Sequence, residues 1–354
     1  MRQESFEFLK SLMEVPSPSG FEQPVQRIVR ERMKPVADEI RSDVHGNVVA
    51  VLNPQGKPRI MLAGHCDQIG MMVRYITDEG YVHFATIGGI DAAVLPGSRL
   101  TVHTAKGPVV GVVGRKPVHL MPPDERGKGH IEIKDLWLDL GAKDRKAAEK
   151  RIAIGDPITF TLGMEVLQKE VVASPGFDDK IGSFVVMEAL RLLKRRKFPA
   201  AVLAVSTVQE ELGLRGARTS CFGLDPQVGV AVDVTHASDY PGADKKITGD
   251  IALGKGPVIE IGPNINPMVS KLLLDTARAK KVPHQIAGAP GATGTDANAM
   301  QISRAGVAAG LVSVPNRYMH TPVEIVHLKD LENAAKLLAE VICKIGPDTD
   351  FIPH

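Results

Sequence analysis

Apolar and polar residues follow two different patterns along this chain. In residues 1–69 and again in 169–354, strand-like apolar runs alternate with amphipathic helical segments. In residues 70–168, short apolar runs are separated by Gly and Pro turns. Alternating strands and helices predict an α/β domain, and closely spaced short strands predict a small β-rich domain. We therefore expect a mixed-sheet α/β domain formed by the two outer segments, with the β-rich domain inserted in it.

The periodicity also predicts the individual elements. In the α/β part, it predicts helices near 2–14, 21–35, 180–195, 268–280 and 328–345, strands near 59–65, 200–207, 228–232, 257–261 and 307–314, and a hairpin across 39–52. In the insert, it predicts strands near 71–76, 81–86, 99–104, 109–113 and 158–162, a helix near 143–151 and a polar loop at 119–134. We expect strand 59–65 to pair with strand 200–208 or one of its neighbours.

Strand 59–65 ends in residues that suit a metal site. Its apolar run stops at Gly64, and His65 and Asp67 follow. The C-terminal edge of the strands is where α/β folds build their sites. Side chains alternate along a strand, so His65 and Asp67 share a face. A histidine that binds a metal usually has its other ring nitrogen held by a carboxylate, which predicts His65 as ligand with Asp67 behind it. The alternative is a hydrogen-bonded histidine at a strand end.

Other apolar strands end in the same way. Glu210 and Glu211 follow the strand at 200–207, Asp233 follows the one at 228–232, and Asp178 and His320 lie in neighbouring turns. Histidine and carboxylate donors suit zinc or a similar divalent ion. There are too many carboxylates for one ion, whereas two ions that share a bridging carboxylate would use them all.

Each of these residues also has a simpler interpretation. Adjacent glutamates are usually solvated, and an Asp-Asp pair before a helix is usually an N-cap, a role that Asp179 would fill. His236 is an alternative ligand to Asp233. We expect it to contact the ligands and not the metal itself. Asp296, in the run that begins at Gly294, either lines a substrate pocket or only fixes a loop.

Composition narrows the class of protein. The 354 residues carry a net charge of +2 and only 4% are aromatic, which gives no case for nucleic-acid binding. Uninterrupted apolar runs are too short for a membrane span. The three cysteines, Cys66, Cys221 and Cys343, are scattered and show no CxxC spacing, so we expect a reducing compartment and a cytoplasmic location.

Taken together, the motifs resemble those of the tetrahedral aminopeptidase family, which includes the glutamyl and deblocking aminopeptidases of the dinuclear metallo-exopeptidase clan. They are Ala-Gly-His-Cys-Asp-Gln-Ile-Gly, Gly-Phe-Asp-Asp-Lys-Ile-Gly, Gln-Glu-Glu-Leu-Gly, Val-Asp-Val-Thr-His, Gly-Thr-Asp-Ala and Met-His-Thr-Pro. They occur in family order between about residues 5 and 345, and no ligand position departs from the pattern.

The resemblance implies a role for each site residue. It implies that His65 and Asp233 bind one divalent ion, that Glu211 and His320 bind a second, and that Asp178 bridges both. It further implies that Glu210 is the general base and that Asp67 orients His65. Asp296 and Gly294 are our candidates for the substrate pocket. In this clan the peptide bond after the bridging aspartate is often cis, which predicts a cis Asp178–Asp179 bond.

The same resemblance implies the ions, the partners and the activity. It implies zinc or cobalt, with manganese also suited, short peptides as substrates, and dimerisation through the insert into a dodecamer. One alternative is a related metallohydrolase, an N-acyl amino acid deacylase or a carboxypeptidase, whose insert would usually be an α/β lid. Another is a glycosidase, with Glu210 or Glu211 and an aspartate as the acid pair, but it leaves His65 and His320 without a function. Some family members are labelled endoglucanases. A third is a non-catalytic binding shell.

Overall fold

A computed structural model describes residues 1–121 and 131–354. Most of the predicted 119–134 loop lies outside the described residues. The helices of the described part are α1 (Gln3–Met13), α2 (Gln23–Met33), α3 (Arg145–Glu149), α4 (Phe177–Leu193), α5 (Arg215–Leu224), α6 (Lys245–Thr248), α7 (Pro267–Ala279), α8 (Asp296–Gln301) and α9 (Leu328–Ile342). Its strands are β1 (Glu39–Ser42), β2 (Val48–Leu52), β3 (Arg59–His65), β4 (Gly70–Ile76), β5 (Val82–Ile87), β6 (Arg99–Thr104), β7 (Gly107–Gly114), β8 (Trp137–Asp139), β9 (Pro157–Phe160), β10 (Glu165–Gln168), β11 (Val171–Ser174), β12 (Ala201–Thr207), β13 (Val228–His236), β14 (Val258–Ile261), β15 (Gln285–Gly288), β16 (Ala308–Asn316) and β17 (Glu324–His327).

The chain divides into two compact units. The sheet unit comprises Met1–Gln68, Gly163–Met319 and Val323–His354, and the barrel unit comprises Ile69–Leu162 with His320–Pro322. Among the described residues, no helix is both long and apolar enough to cross a membrane.

The sheet unit is built on an eight-stranded mixed sheet in the order β1-β2-β12-β3-β13-β16-β14-β15. Its four central strands, β12, β3, β13 and β16, are parallel, and β3 pairs with β12 as predicted. Alternate side chains of β3 enter two cores: Ile60 and Leu62 pack with α4 and α9, and Met61 and Ala63 pack with α5 and α8. Burial on both faces explains why these strands have continuous apolar sequences. A small antiparallel sheet, β10-β11-β17, completes the unit.

Close packing of α4 on β3 depends on two glycines. A Cβ atom built on Gly64 would overlap the backbone of Gly182, and one built on Gly182 would overlap the side chain of Asp179. Helix α4 therefore lies directly against the C-terminal end of β3. This contact sets the position of the turn that begins the helix.

The barrel unit consists of a closed barrel with strand order β4-β5-β8-β7-β6-β9. Its interior is filled by one apolar cluster that includes Met71, Val102, Leu138 and Ile158. Alternation along β7 leaves Val110 and Val112 on the outer face, 56% and 48% exposed. A closed barrel has no free strand edges at which another chain could pair.

Candidate metal centre

Three neighbouring parallel strands bring polar side chains to the same edge of the sheet. Strand β3 ends at His65, which is the register partner of Thr207, the last residue of β12. Glu210 and Glu211 follow Thr207 after two residues, and β13 carries Asp233 near its end. Because the carboxyl ends of parallel strands meet at one edge, residues far apart in the sequence become neighbours there.

One group of side chains at this edge has the geometry of a metal site. His65, Asp178 and Asp233 are all buried, and one ligand atom from each lies within 4.8 Å of the others. The Nε2 atom of His65 is 3.2 Å from Oδ1 of Asp178. Its Nδ1 atom is 3.0 Å from the carbonyl oxygen of Asp67 and 3.4 Å from the carboxylate of Asp67. The carbonyl oxygen and the Oδ1 atom of Asp67 thus both lie next to Nδ1, which leaves Nε2 directed at Asp178.

The position of Asp178 is fixed by the irregular start of α4. Asp178 and Asp179 have non-helical dihedral angles, and the peptide bond between them is cis, which confirms the prediction for this bond. Asp179 accepts hydrogen bonds from the backbone N–H groups of Gly182 (2.9 Å) and His65 (3.2 Å), so it caps the regular helix and ties it to β3. The backbone N–H of Asp178 donates to the buried carboxylate of Glu324 at 2.9 Å.

The two adjacent glutamates are held by their backbone. The N–H of Glu210 donates to Oδ1 of Asp67 at 3.0 Å, and the N–H of Glu211 donates to Oδ2 of the same carboxylate at 3.2 Å. The side chain of Glu210 is buried, whereas that of Glu211 is half-buried. A carboxylate oxygen of Glu211 lies within 4.8 Å of one of Asp178. Neighbouring residues of the same type therefore have different surroundings.

Negative charge is concentrated at this edge. Burial raises the pKa of Glu210 to about 10; His65, with Nε2 3.7 Å away, opposes the shift, while Asp233, Asp296 and Glu211 add to it. Burial also raises the pKa of Asp233 well above its ordinary value. For His65, burial lowers the pKa, but the surrounding carboxylates of Glu210, Asp178 and Asp67 outweigh it and raise the pKa well above its ordinary value. Buried carboxylates in such numbers require compensating positive charge, and divalent cations supply it. The donor set therefore fits metal ions.

Asp296 lies beside the cluster of His65 and the carboxylates, whereas Gly294 is on the surface. Asp296 is buried, its Oδ2 atom accepts a hydrogen bond from Thr207 Oγ1 at 2.6 Å, and its buried Oδ1 atom has no hydrogen-bond partner among the described residues. Burial raises the pKa of Asp296 to about 6. Gly294 is exposed and has φ +73°, a conformation that favours glycine.

The two other histidines considered as ligands, His320 and His236, differ in their surroundings. His320 follows β16 by four residues, has φ +61°, and belongs by its contacts to the barrel unit, where a Cβ atom built on Gly89 would lie 3.4 Å from its Nδ1 atom. His236 is exposed at the end of β13. It is therefore the less suitable ligand of the two.

Sequence patterns predicted a helix break between α1 and α2, residues 14–22, but gave no indication that this loop contacts the candidate site. Its Pro-Ser-Pro-Ser-Gly segment is typical of a helix break. In the structure, Ser17 Oγ donates to the carbonyl oxygen of Cys66 at 2.7 Å, beside His65. The fully buried Lys180, in the first turn of α4, donates to the carbonyl oxygen of Val15 at 2.8 Å. Two serines that alternate with prolines after a helix were the available signal, but the partners of this loop are distant in sequence.

Comparison with known proteins identifies the family. Residues 46–337 match the family model described as M42 glutamyl aminopeptidase. The chain is 39% identical over 350 residues to a lysyl aminopeptidase of Pyrococcus furiosus, covering 98% of this chain and 99% of that protein.

Two solved structures are also similar over nearly the whole chain. A TET aminopeptidase from a marine sediment archaeon, Thaumarchaeota archaeon SCGC AB-539-E09, superposes with a TM-score of 0.92 at 38% identity, over 97% of this chain and 96% of that one. The Pyrococcus horikoshii TET1 peptidase, described as assembling into a tetrahedron or a large octahedral shell, gives a TM-score of 0.85 at 32% identity, over 96% and 100%. Family match, identity and coverage agree: this chain belongs to the M42 glutamyl aminopeptidase family, and it is a hydrolase of the aminopeptidase type.

Proposed function

We propose that this chain is a dinuclear metal-dependent aminopeptidase that removes N-terminal residues from short peptides. One observation carries the proposal: His65, Asp178 and Asp233 offer three ligand atoms within 4.8 Å of one another at the carboxyl edge of the parallel strands. Glu210, a buried carboxylate, lies directly beside this group. A ligand cluster with an adjacent base is the minimum that metal-assisted peptide hydrolysis requires.

In this proposal the ligands divide between two ions. His65 and Asp233 would hold one divalent ion, Glu211 and His320 would hold the other, and Asp178 would be shared between them. Zinc or cobalt suits these donors best, and manganese is also compatible. When bound, such a pair of ions polarises the scissile carbonyl and makes water a better nucleophile at neutral pH.

Glu210 acts as the general base. It accepts a proton from the attacking water and then delivers that proton to the nitrogen of the leaving amine. The position of Glu210 supports this role, because its carboxylate is buried and its Oε2 atom lies 3.7 Å from Nε2 of His65, beside the candidate ligands. Asp67 supports it too, since its carboxylate binds the backbone N–H groups of both Glu210 and Glu211. Glu210 can therefore act as the base and Glu211 as a ligand, although the two residues are adjacent.

Asp296 and Gly294 belong to the proposed substrate pocket. Asp296 brings a buried negative charge to the neighbourhood of Glu210, which suits a substrate with a free α-ammonium group. Gly294 leaves space at the start of the same segment, because nothing lies within 4 Å of a Cβ atom built on it.

We also propose that the barrel unit mediates dimerisation and that dimers form a dodecamer in the cytoplasm. Exposed Val110 and Val112 support a contact with another chain, since alternation along β7 places both apolar side chains next to each other on its outer face. The three cysteines are free, which suits a reducing compartment. Light scattering at micromolar concentration should give the mass of twelve chains, and a monomer alone would contradict this assembly.

One assay separates the proposed activity from its alternatives. We expect release of the chromophore from free-amine aminoacyl anilides, with loss of the activity in chelator and recovery on addition of zinc or cobalt. Preferential cleavage of N-acylated amino acids would indicate a deacylase, preferential removal of C-terminal residues would indicate a carboxypeptidase, and chelator-resistant hydrolysis of carboxymethylcellulose would indicate a glycosidase. No hydrolysis of any of these substrates would favour a binding shell.

A further inference from the structure

The carboxylate of Glu22, at the end of the α1–α2 loop, has no part in the roles assigned above. It is only 4% exposed, although it precedes a surface helix. Its Oε1 atom accepts hydrogen bonds from the backbone N–H groups of Gly20 at 2.7 Å and of Gln209 at 3.1 Å. The second contact joins residues that are 187 positions apart, and it ends on the residue before Glu210.

Glu22 thereby completes a regular arrangement around the two glutamates. Three successive backbone N–H groups, those of Gln209, Glu210 and Glu211, each donate to a carboxylate oxygen: the first to Glu22 and the next two to Asp67. Gln209 has φ +52°, a left-handed conformation that is unfavourable for a residue with a side chain. Such a conformation persists where the surroundings fix it, and the two carboxylates do so.

The two carboxylates are also connected to each other through the loop. Ser19 Oγ donates to Oδ2 of Asp67 at 2.7 Å, and Glu22 lies three residues further along. The loop between α1 and α2 therefore supports both acceptors of the 209–211 backbone.

We propose that Glu22 is a positioning residue for the aminopeptidase reaction. Its carboxylate holds the backbone of Gln209, so that the side chains of Glu210 and Glu211 point in different directions. This inference rests on the proposed function. Glu22 touches neither a candidate ligand side chain nor the base, and it acts through the main chain. A displacement of a catalytic group by about 1 Å can cost about 10²-fold in rate.

Two variants of the same residue test this role. Glu22→Gln keeps a carbonyl oxygen that can accept the same N–H groups, and we expect kcat within about threefold of the wild type. Glu22→Ala removes the acceptor, and we expect kcat to fall about 10- to 100-fold with KM changed less than about threefold, because positioning and not substrate binding is lost. Amide exchange in the 205–213 segment should become at least about tenfold faster in Glu22→Ala and remain near wild type in Glu22→Gln.

Asp330 offers a matched control. Its buried carboxylate also accepts two backbone N–H groups, those of Gly254 (2.7 Å) and Gly256 (2.8 Å). Asp330→Ala should lower thermal stability about as much as Glu22→Ala but leave kcat and exchange in 205–213 unchanged.

The outcomes separate this inference from the proposed function. Unchanged exchange at 205–213 in Glu22→Ala overturns the positioning role, as does an equal loss of kcat in Asp330→Ala. Failure of Glu22→Gln to restore kcat also counts against it. If the wild type does not hydrolyse free-amine substrates, the proposed function fails, and the exchange measurement alone then decides whether Glu22 holds this backbone.

Discussion

Glu210 and Glu211 are adjacent in sequence, yet their substitution should impair the enzyme in different ways. Glu210→Gln keeps the size and shape of the side chain, and its backbone N–H still donates to Asp67, which accepts it at 3.0 Å. The amide cannot accept the proton of the attacking water. Loss of a general base typically costs 10²–10⁴-fold in rate, or about 3–5 kcal/mol in the barrier. We expect kcat to fall within that range while metal content and peptide binding are retained.

Glu211→Gln should instead weaken the binding of one ion. A neutral amide replaces a charged oxygen whose position is within 4.8 Å of a carboxylate oxygen of Asp178, so affinity for the shared ion falls. Added metal should then restore part of the activity of Glu211→Gln and none of that of Glu210→Gln.

Elemental analysis of both variants, combined with rates on one aminoacyl anilide across a metal titration, measures this difference. Wild-type protein carried through the same chelation and reloading is the control. Loss of metal from Glu210→Gln with retention in Glu211→Gln would show that the two roles are exchanged and would refute the reasoning.

Two further predictions concern stability. Burial lowers the pKa of Lys180 to about 7 from an ordinary 10.5, so between these values the unfolded chain binds more protons and stability rises with pH. The unfolding free energy of the wild type relative to Lys180→Met should increase by on the order of 4 kcal/mol from pH 6.5 to 10.5, and a flat difference in denaturant titrations would contradict it. Gly64→Ala should lower the free energy of unfolding by about 1–3 kcal/mol, because the new methyl group overlaps the backbone of Gly182. Gly223→Ala in α5 should be neutral or stabilising by up to about 1 kcal/mol, because nothing lies within 4 Å of a Cβ atom at that position. Equal melting temperatures of the two variants would contradict the packing argument.

The sequence predicted secondary structure best where the pattern of apolar residues is strong. The apolar run before His65 predicted strand β3 with the observed bounds, and the predicted closing helix near 328–345 appears as α9, Leu328–Ile342. Helix α9 has a strong helical periodicity because one face packs on a core, whereas β3 has a continuous apolar run because it is buried against two cores. The predicted pairing of β3 with β12 is also confirmed.

Weakly patterned elements could not be found in this way. Helix α5 has the sequence Arg-Gly-Ala-Arg-Thr-Ser-Cys-Phe-Gly-Leu, in which two glycines lower the helix propensity, and packing against the sheet compensates for it. The small sheet of β10, β11 and β17 joins short segments from distant parts of the chain. Such pairings depend on the tertiary fold and leave little local signal.

The candidate site shows the same division. His65, Asp178 and Asp233 could be proposed as neighbours because strand ends converge in an α/β sheet. The support by Ser19 and Glu22 could not, since serine, proline and glycine after a helix predict only a turn. Hydrogen bonds across 48 and 187 residues have no periodicity that a sequence pattern would reveal.

Metal content and activity measured on the same samples test the central claim most directly. The protein is dialysed against chelator, analysed for metal, and reloaded with zinc or cobalt in steps while the hydrolysis of one free-amine aminoacyl anilide is followed. We predict no activity in the metal-free protein, and full recovery as the metal content approaches two ions per chain. Full activity in protein shown to contain no metal would contradict the account.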